Sequence, residues 1–270
     1  MTNTEACVIR TDGTPQCWSN NEFVDLSDVP PGRFTRVSVM SAHACALRSD
    51  GRIFCWGDDF AGPGPTESGF IDVQAGNLHN CALRGDATIA CWGIPIYGGL
   101  NPPQGRFAQI SGGIDYMCAV GFDGKAQCWG GAGPQWLMNE KGAGLASVAV
   151  GSGEACVLDV DGEPHCTGNI SSMQPASGRY SQLSLGATSG CGILRNGGAA
   201  CWGASLGPTP TTAMSEVSVG EAHACGIQTD GAVVCWGDNS FGQTDALPGR
   251  YLTVAAGDRY SCAISVAGTV

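Results

Sequence analysis

The sequence predicts an all-β array of repeats, and three observations predict it. Cysteines fall in pairs ten residues apart, at 7/17, 45/55, 81/91, 118/128, 156/166, 191/201 and 225/235. Successive first cysteines, counting Cys262 as the eighth, lie 38, 36, 37, 38, 35, 34 and 37 residues apart. The apolar segments between turn signals are short and lack helical spacing, which in a chain of this period means repeated β-units.

The elements of one repeat follow in a fixed order. An inner strand comes first, as at Val37–Val39, Ile71–Val73, Val148–Val150, Val217–Val219 and Leu252–Val254. Five residues before the first cysteine stands a glycine: Gly76, Gly113, Gly151, Gly186, Gly220 or Gly257, with Met40 in one copy. Glycine there suits either a positive φ or a close backbone approach. Two residues before the cysteine stands His43, His79, Tyr116, His223 or Tyr260. A hairpin follows, then Trp-Gly and a polar loop. Four linkers carry Gly32-Arg33-Phe34, Gly105-Arg106-Phe107, Gly178-Arg179-Tyr180 and Gly249-Arg250-Tyr251.

The hairpin turn decides whether the cysteines meet. A two-residue Asp-Gly turn puts Cys45 opposite Trp56. A three-residue loop, Ser49-Asp50-Gly51, puts Cys45 opposite Cys55 and is a type I turn with a G1 bulge, glycine in the left-handed position. The same offsets recur at Asp12-Gly13, Asp123-Gly124, Asp161-Gly162, Asn196-Gly197 and Asp230-Gly231, while Asp86-Ala87 and Ala267-Gly268 are degenerate. Opposed residues at a non-hydrogen-bonded antiparallel pair have Cα atoms ~4.5 Å apart, within disulfide range. Seven cross-strand disulfides are therefore expected: Cys7–Cys17, Cys45–Cys55, Cys81–Cys91, Cys118–Cys128, Cys156–Cys166, Cys191–Cys201 and Cys225–Cys235. The rival reading, zinc ligation, wants clustered ligands such as CxxC, and the sequence has none. No metal site is expected.

Trp18, Trp56, Trp92, Trp129, Trp202 and Trp236 each follow a second cysteine. Period-two alternation sends Cys and Trp to opposite faces of one strand, so the tryptophans are expected between neighbouring units. Thr167 takes this place in the fifth repeat, where packing should be weakest.

Charge and composition narrow the function. Lys+Arg 13 against Asp+Glu 24 gives a net charge of −11, which repels phosphate backbones and argues against nucleic-acid binding. No apolar run approaches the ~18 residues that span a membrane, so no membrane insertion is expected. The 15 cysteines point to an oxidising compartment, extracellular, periplasmic or at the cell surface. The start of the chain, Met1-Thr2-Asn3-Thr4-Glu5, is polar and shows no signal peptide, so a secreted protein would here be in a mature or trimmed form.

The stretch Val217 to Gln243, VSVGEAHACGIQTDGAVVCWGDNSFGQ, resembles the repeat of the regulator of chromosome condensation family. The resemblance implies a seven-bladed β-propeller of four-stranded blades. Its paired cysteines and Gly-Arg-aromatic linkers are most similar to a disulfide-bearing subgroup of secreted bacterial proteins and plant receptor-kinase ectodomains. Family functions differ: nucleotide exchange on a small GTPase with chromatin binding, ultraviolet sensing through clustered tryptophans, and β-lactamase inhibition. Nothing here selects the first two. Fold alone does not give function.

Residues 1–270 read as one propeller domain, with 258–270 a surplus, unfinished hairpin. Both termini would share one blade; an eight-bladed closure is the alternative. Cys262 is left unpaired or bonds another molecule.

No catalytic or cofactor-binding residue emerges. Of the four histidines, His43, His79 and His223 occupy one repeat position and are read as structural, bonding backbone at the inner strand; His165 stands outside it. Asp159-Val160-Asp161-Gly162 lacks the distal glutamate of a calcium loop and reads as a hairpin turn. Asn169 begins a glycosylation sequon. The loops after Trp-Gly carry Phe23, Phe60, Tyr97, Trp136 and Phe241, a candidate binding face. The expected function is a non-enzymatic extracellular scaffold that binds a protein partner or self-associates. A secreted enzyme inhibitor and a surface-filament subunit built by strand addition are the alternatives.

Overall fold

The computed structural model describes residues 5–19, 25–40, 42–57, 62–95, 98–131, 144–167, 174–203, 206–246 and 248–268. These residues form 22 strands. No helix among them is long and apolar enough to cross a membrane.

The strands group by repeat. The first hairpin is β1 (Glu5–Ile9) with β2 (Pro15–Ser19). Three complete sheets follow: β3 (Phe34–Met40), β4 (His43–Arg48) and β5 (Ile53–Gly57); β6 (Phe70–Ala75), β7 (His79–Arg84) and β8 (Ile89–Gly93); β9 (Phe107–Gly112), β10 (Tyr116–Gly121) and β11 (Ala126–Gly130). Next come β12 (Leu145–Val150), β13 (Ala155–Asp159) and β14 (Pro164–Thr167), then β15 (Tyr180–Leu185), β16 (Ser189–Leu194) and β17 (Ala199–Gly203). Then β18 (Met214–Val219), β19 (His223–Gln228) and β20 (Val233–Gly237) precede a last pair, β21 (Tyr251–Ala256) with β22 (Ser261–Ser265). Six sheets have three strands and the two terminal ones have two, an order that fits seven blades. The resemblance implies a fourth strand per blade; among the described residues each complete repeat has three.

The chain divides into two compact units, residues 3–148 and 149–270, and the division falls inside β12.

The hairpins follow the three-residue loop. Arg48 N donates to Arg52 O at 2.8 Å and Gly51 N to Arg48 O at 2.9 Å, which closes the loop over residues 49–51. Gly51 has φ 80°. The Asp50 side chain accepts from Arg52 N at 3.2 Å, the short-range bond that suits aspartate to turns. Cys45 consequently faces Cys55, with Cα atoms 4.1 Å apart. All seven expected disulfides are present.

One hairpin departs from this chemistry. Ala87 holds the left-handed position with φ 72°, where a Cβ crowds the backbone. Replacing Ala87→Gly is expected to stabilise the protein by about 0.5–1 kcal/mol, the relieved strain outweighing the added freedom of the unfolded chain. A lower urea midpoint for the variant would contradict this.

Consecutive repeats are joined through the same turns. Gly51 O accepts from Phe70 N at 3.0 Å, Ala87 O from Phe107 N at 2.8 Å, and Gly162 O from Tyr180 N at 2.7 Å. The aromatic of the Gly-Arg-aromatic linker is thus the first residue of the next inner strand, and it is buried at Phe34, Phe107 and Tyr180. Inner strands are joined too: Ser38, Ser184 and Ser218 Oγ accept from the amides of Ala75, Val219 and Ala256 at 2.9–3.0 Å.

Cores lie between repeats. Cys45, Leu47 and Ile53 of one hairpin pack with Phe70, Val73, Ala82 and Trp92 of the next. Cys191 and Ile193 pack in the same way with Met214, Val217 and Trp236. Each disulfide is therefore a pad for the following repeat, and the tryptophans sit where alternation places them. Trp18, in the first repeat, is the exception at 37% exposed. In the fifth repeat Thr167 is buried and its hydroxyl makes no hydrogen bond.

Candidate functional site

Of the five loop aromatics, Phe23, Phe60, Tyr97 and Trp136 lie outside the described residues, as does Asn169. Phe241 is described, and the residue is 62% exposed. The loop that carries it runs from β20 towards β21 and is built from its own polar residues. Asp238 accepts from the Ser240 hydroxyl at 2.6 Å and from Gln243 Nε2 at 2.8 Å. Gln243 Oε1 in turn accepts from Phe241 N at 2.8 Å. Asn239 Nδ2 donates to Asp245 at 2.8 Å, while its Oδ1 accepts from Thr244 N at 2.9 Å. The Ser240 hydroxyl, first among its donors, holds the Asp238 carboxyl below the ordinary carboxylate range.

The loop is also anchored from below. The Ser261 hydroxyl donates to Gln243 O at 2.8 Å and lies 2.8 Å from His223 Nε2. Asp238 N donates to Ala222 O at 2.9 Å. Burial pushes the His223 imidazole down, so it stays neutral at physiological pH. The Arg259 guanidinium stacks on the Phe241 ring, 4.7 Å from its centroid. The result is a fixed loop that presents one aromatic face beside one cation and two carboxylates.

Two of the repeat histidines have side-chain partners in the next repeat, beyond the backbone bonding the sequence suggests. His43 Nε2 meets Asn80 Oδ1 of the next repeat at 2.9 Å, as His223 meets Ser261. His43 and His223 stitch repeats through side chains, and His223 also bonds the Tyr260 backbone; His79 Nε2 makes no hydrogen bond. Cys262 lies in β22 opposite Ala255 and carries a free, half-buried thiol. Burial pushes this thiol up, which disfavours the reactive thiolate.

A second cluster lies outside the residues that the sequence marks as candidates. Asp159, Glu163 and His165 bring one ligand atom each within 4.8 Å of one another. The fifth hairpin turn places Asp159 beside Glu163, with Asp159 N donating to Glu163 O at 3.1 Å. One step along the same face, His165 stands opposite Val157. The spacing Asp-x3-Glu-x-His around a three-residue loop is the signal that gives this juxtaposition. Nearby, Glu163, Pro164, Pro175, Ala176, Ser177, Gly178 and Arg179 line a cleft of about 470 Å³.

The family model of the "Regulator of chromosome condensation (RCC1) repeat" matches residues 35–62 and 215–243. No curated protein matches the chain. Among solved structures, the chain is similar to the CRINKLY WD40 ectodomain of the Arabidopsis thaliana receptor kinase ACR4. That match has 25% identity and a TM-score of 0.68, covering 85% of this chain and 90% of that one. It is similar to the ectodomain of the Physcomitrella patens receptor kinase CR4, at 24% identity and TM-score 0.70, over 88% of this chain and 72% of that one. It also resembles Prp20p of Saccharomyces cerevisiae, at 13% identity and TM-score 0.67, over 93% of this chain and 85% of that one. Repeat motif, strand order and structural likeness agree: the chain is an RCC1-like repeat β-propeller with one disulfide in each complete hairpin.

Proposed function

We propose that this chain is a non-enzymatic, extracellular protein-binding scaffold, and that the loop holding Phe241 belongs to its contact surface. The observation that carries this is an exposed aromatic on a loop whose polar groups are satisfied internally. Such a loop is already ordered, so binding costs little conformational entropy. Exposed aromatics beside arginine are the side chains that dominate protein interfaces. Seven disulfides require an oxidising compartment. The likeness to a receptor-kinase ectodomain, 25% identical, fits a propeller displayed outside the cell.

The test is comparative capture. Folded protein is immobilised and exposed to the extracytoplasmic proteins of its source, beside the variants Phe241→Ala and Ile71→Ala. Ile71 is 53% exposed and serves as the control. Phe241→Ala is expected to keep stability within about 0.5 kcal/mol and to lose at least about tenfold of the captured partner. A partner retained equally by Phe241→Ala and lost by Ile71→Ala would reject this loop as the contact.

A further inference from the structure

We propose that the fifth hairpin holds a divalent transition-metal ion, zinc by its ligand chemistry, between Asp159, Glu163 and His165. The three side chains project from one face of the β13–β14 hairpin, where Asp159 and Glu163 flank the turn and His165 follows two residues on. Their ligand atoms lie within 4.8 Å of one another.

His165 carries the case. Its Nε2 is buried and makes no hydrogen bond. The nearest carboxylate oxygen, Asp159 Oδ2, stands 3.8 Å away, too far for a direct bond. Two ligands each about 2.1 Å from a zinc ion stand roughly 3.4 Å apart at the tetrahedral angle, so a small inward shift seats both on one ion. A buried nitrogen lone pair or N–H without a partner is costly, and a shared cation satisfies the lone pair.

The other repeats are an internal control, because the same three positions occur in each complete hairpin. They hold Arg10, Thr14 and Gln16 in the first, and Arg48, Arg52 and Phe54 in the second. The third and fourth hold Arg84, Thr88 and Ala90, then Gly121, Lys125 and Gln127. In the first hairpin Arg10 donates to Gln16 Oε1, and in the second Arg48 lies over the Phe54 ring at 4.5 Å. These side chains already meet across the strands at this place in the repeat. The sixth and seventh hold Leu194, Gly198 and Ala200, then Gln228, Ala232 and Val234, without a cation; only the fifth hairpin places three metal-ligating residues at these positions. It is also the repeat in which Thr167 stands where the others have tryptophan, and β14 is only 4 residues long. A metal clamp at the turn end holds together the hairpin with the shortest pairing.

Ligand type selects the ion. Two carboxylates alone suit calcium or magnesium, but an imidazole nitrogen directs the site to zinc or a neighbouring first-row ion. Three protein ligands leave a fourth position for water.

The oxidised full chain, stripped with EDTA and then dialysed, is titrated with zinc chloride by calorimetry and followed by thermal unfolding. Saturable uptake of one zinc per chain is expected, with a Tm rise of about 5 °C at a hundredfold excess over Kd. His165→Gln is the decisive variant, since the first and fourth hairpins fold with Gln16 and Gln127 at that position. It should weaken binding at least tenfold and abolish the Tm rise while its circular dichroism matches wild type. Glu163→Gln is expected to weaken binding in the same direction. No uptake, or equal zinc affinity in His165→Gln, overturns the proposal.

Discussion

In a strong reductant the protein is expected to lose its cooperative unfolding transition at 25 °C. Each of the seven disulfides joins cysteines ten residues apart. In the chain-entropy account, closing a loop of that length restricts the unfolded chain by about 2.7 kcal/mol. Simple addition over seven gives roughly 19 kcal/mol, more than the roughly 5–15 kcal/mol by which ordinary domains are stable. Packing adds to the entropic term. Cys45, Cys81, Cys191 and Cys225 are wholly buried, and the disulfides they form are the pads on which the next repeat's aromatic residues rest. Opening one bond therefore loosens two repeats. The double variant Cys225→Ala, Cys235→Ala should cost about 2–3 kcal/mol, and reduction of the whole set should leave an expanded chain. Circular dichroism and urea unfolding with and without phosphine reductant decide it. A reduced protein that keeps its midpoint would show that the sheets and interblade cores suffice alone.

Most of this architecture was legible in the residues because it depends on local rules. Asp50-Gly51 sets the loop length, the loop length sets the register, and the register puts Cys45 opposite Cys55. Alternation along β5 then sends Trp56 to the face opposite Cys55, into a core with Phe34 of its own repeat and Cys7 and Cys17 of the preceding one. The glycine before each first cysteine was readable only as one of two devices, since positive φ and close approach leave the same letter in a sequence. Gly151, Gly186 and Gly220 are not among the positive-φ glycines, so close approach is the one used.

The candidate sites were legible to a smaller extent. Phe241 could be picked out as an aromatic in a variable loop, but its supports could not. Gln243 reaches Ser261, 18 residues away, and His223 meets the same hydroxyl across 38 residues. Such bonds follow from how repeats stack, which spacing within one repeat does not encode. The Asp159, Glu163 and His165 cluster is legible in principle, because the register rule that pairs the cysteines also aligns these three, but only when the residues beyond the Asp159–Gly162 turn are carried across the strands.

Gly220→Ala is expected to destabilise the protein by about 3 kcal/mol, near the top of the range for one methyl group. A Cβ at Gly220 would lie 2.0 Å from Gly257 O and 2.8 Å from His223 Cε1. Neither neighbour can withdraw. The Gly257 carbonyl accepts from Glu221 N at 3.2 Å, and the Gly257 amide donates to Tyr260 O at 3.0 Å. The His223 ring is fixed through Ser261 to the Phe241 loop. The same contact is made by the preceding repeats, since a Cβ at Gly186 would stand 2.1 Å from Gly220 O, and one at Gly151 2.5 Å from Gly186 O. Glycine at this position sets the distance between consecutive inner strands, so an added methyl must push two repeats apart. Gly153→Ala is the matched control: a Cβ there meets nothing within 4 Å, and the change should stay within about 0.5 kcal/mol. Equal urea midpoints for the two variants would mean that the repeats can shift apart without loss. A lowered midpoint for Gly220→Ala alone, together with weaker partner capture, would tie the spacing of the inner strands to the presentation of Phe241 through His223 and Ser261.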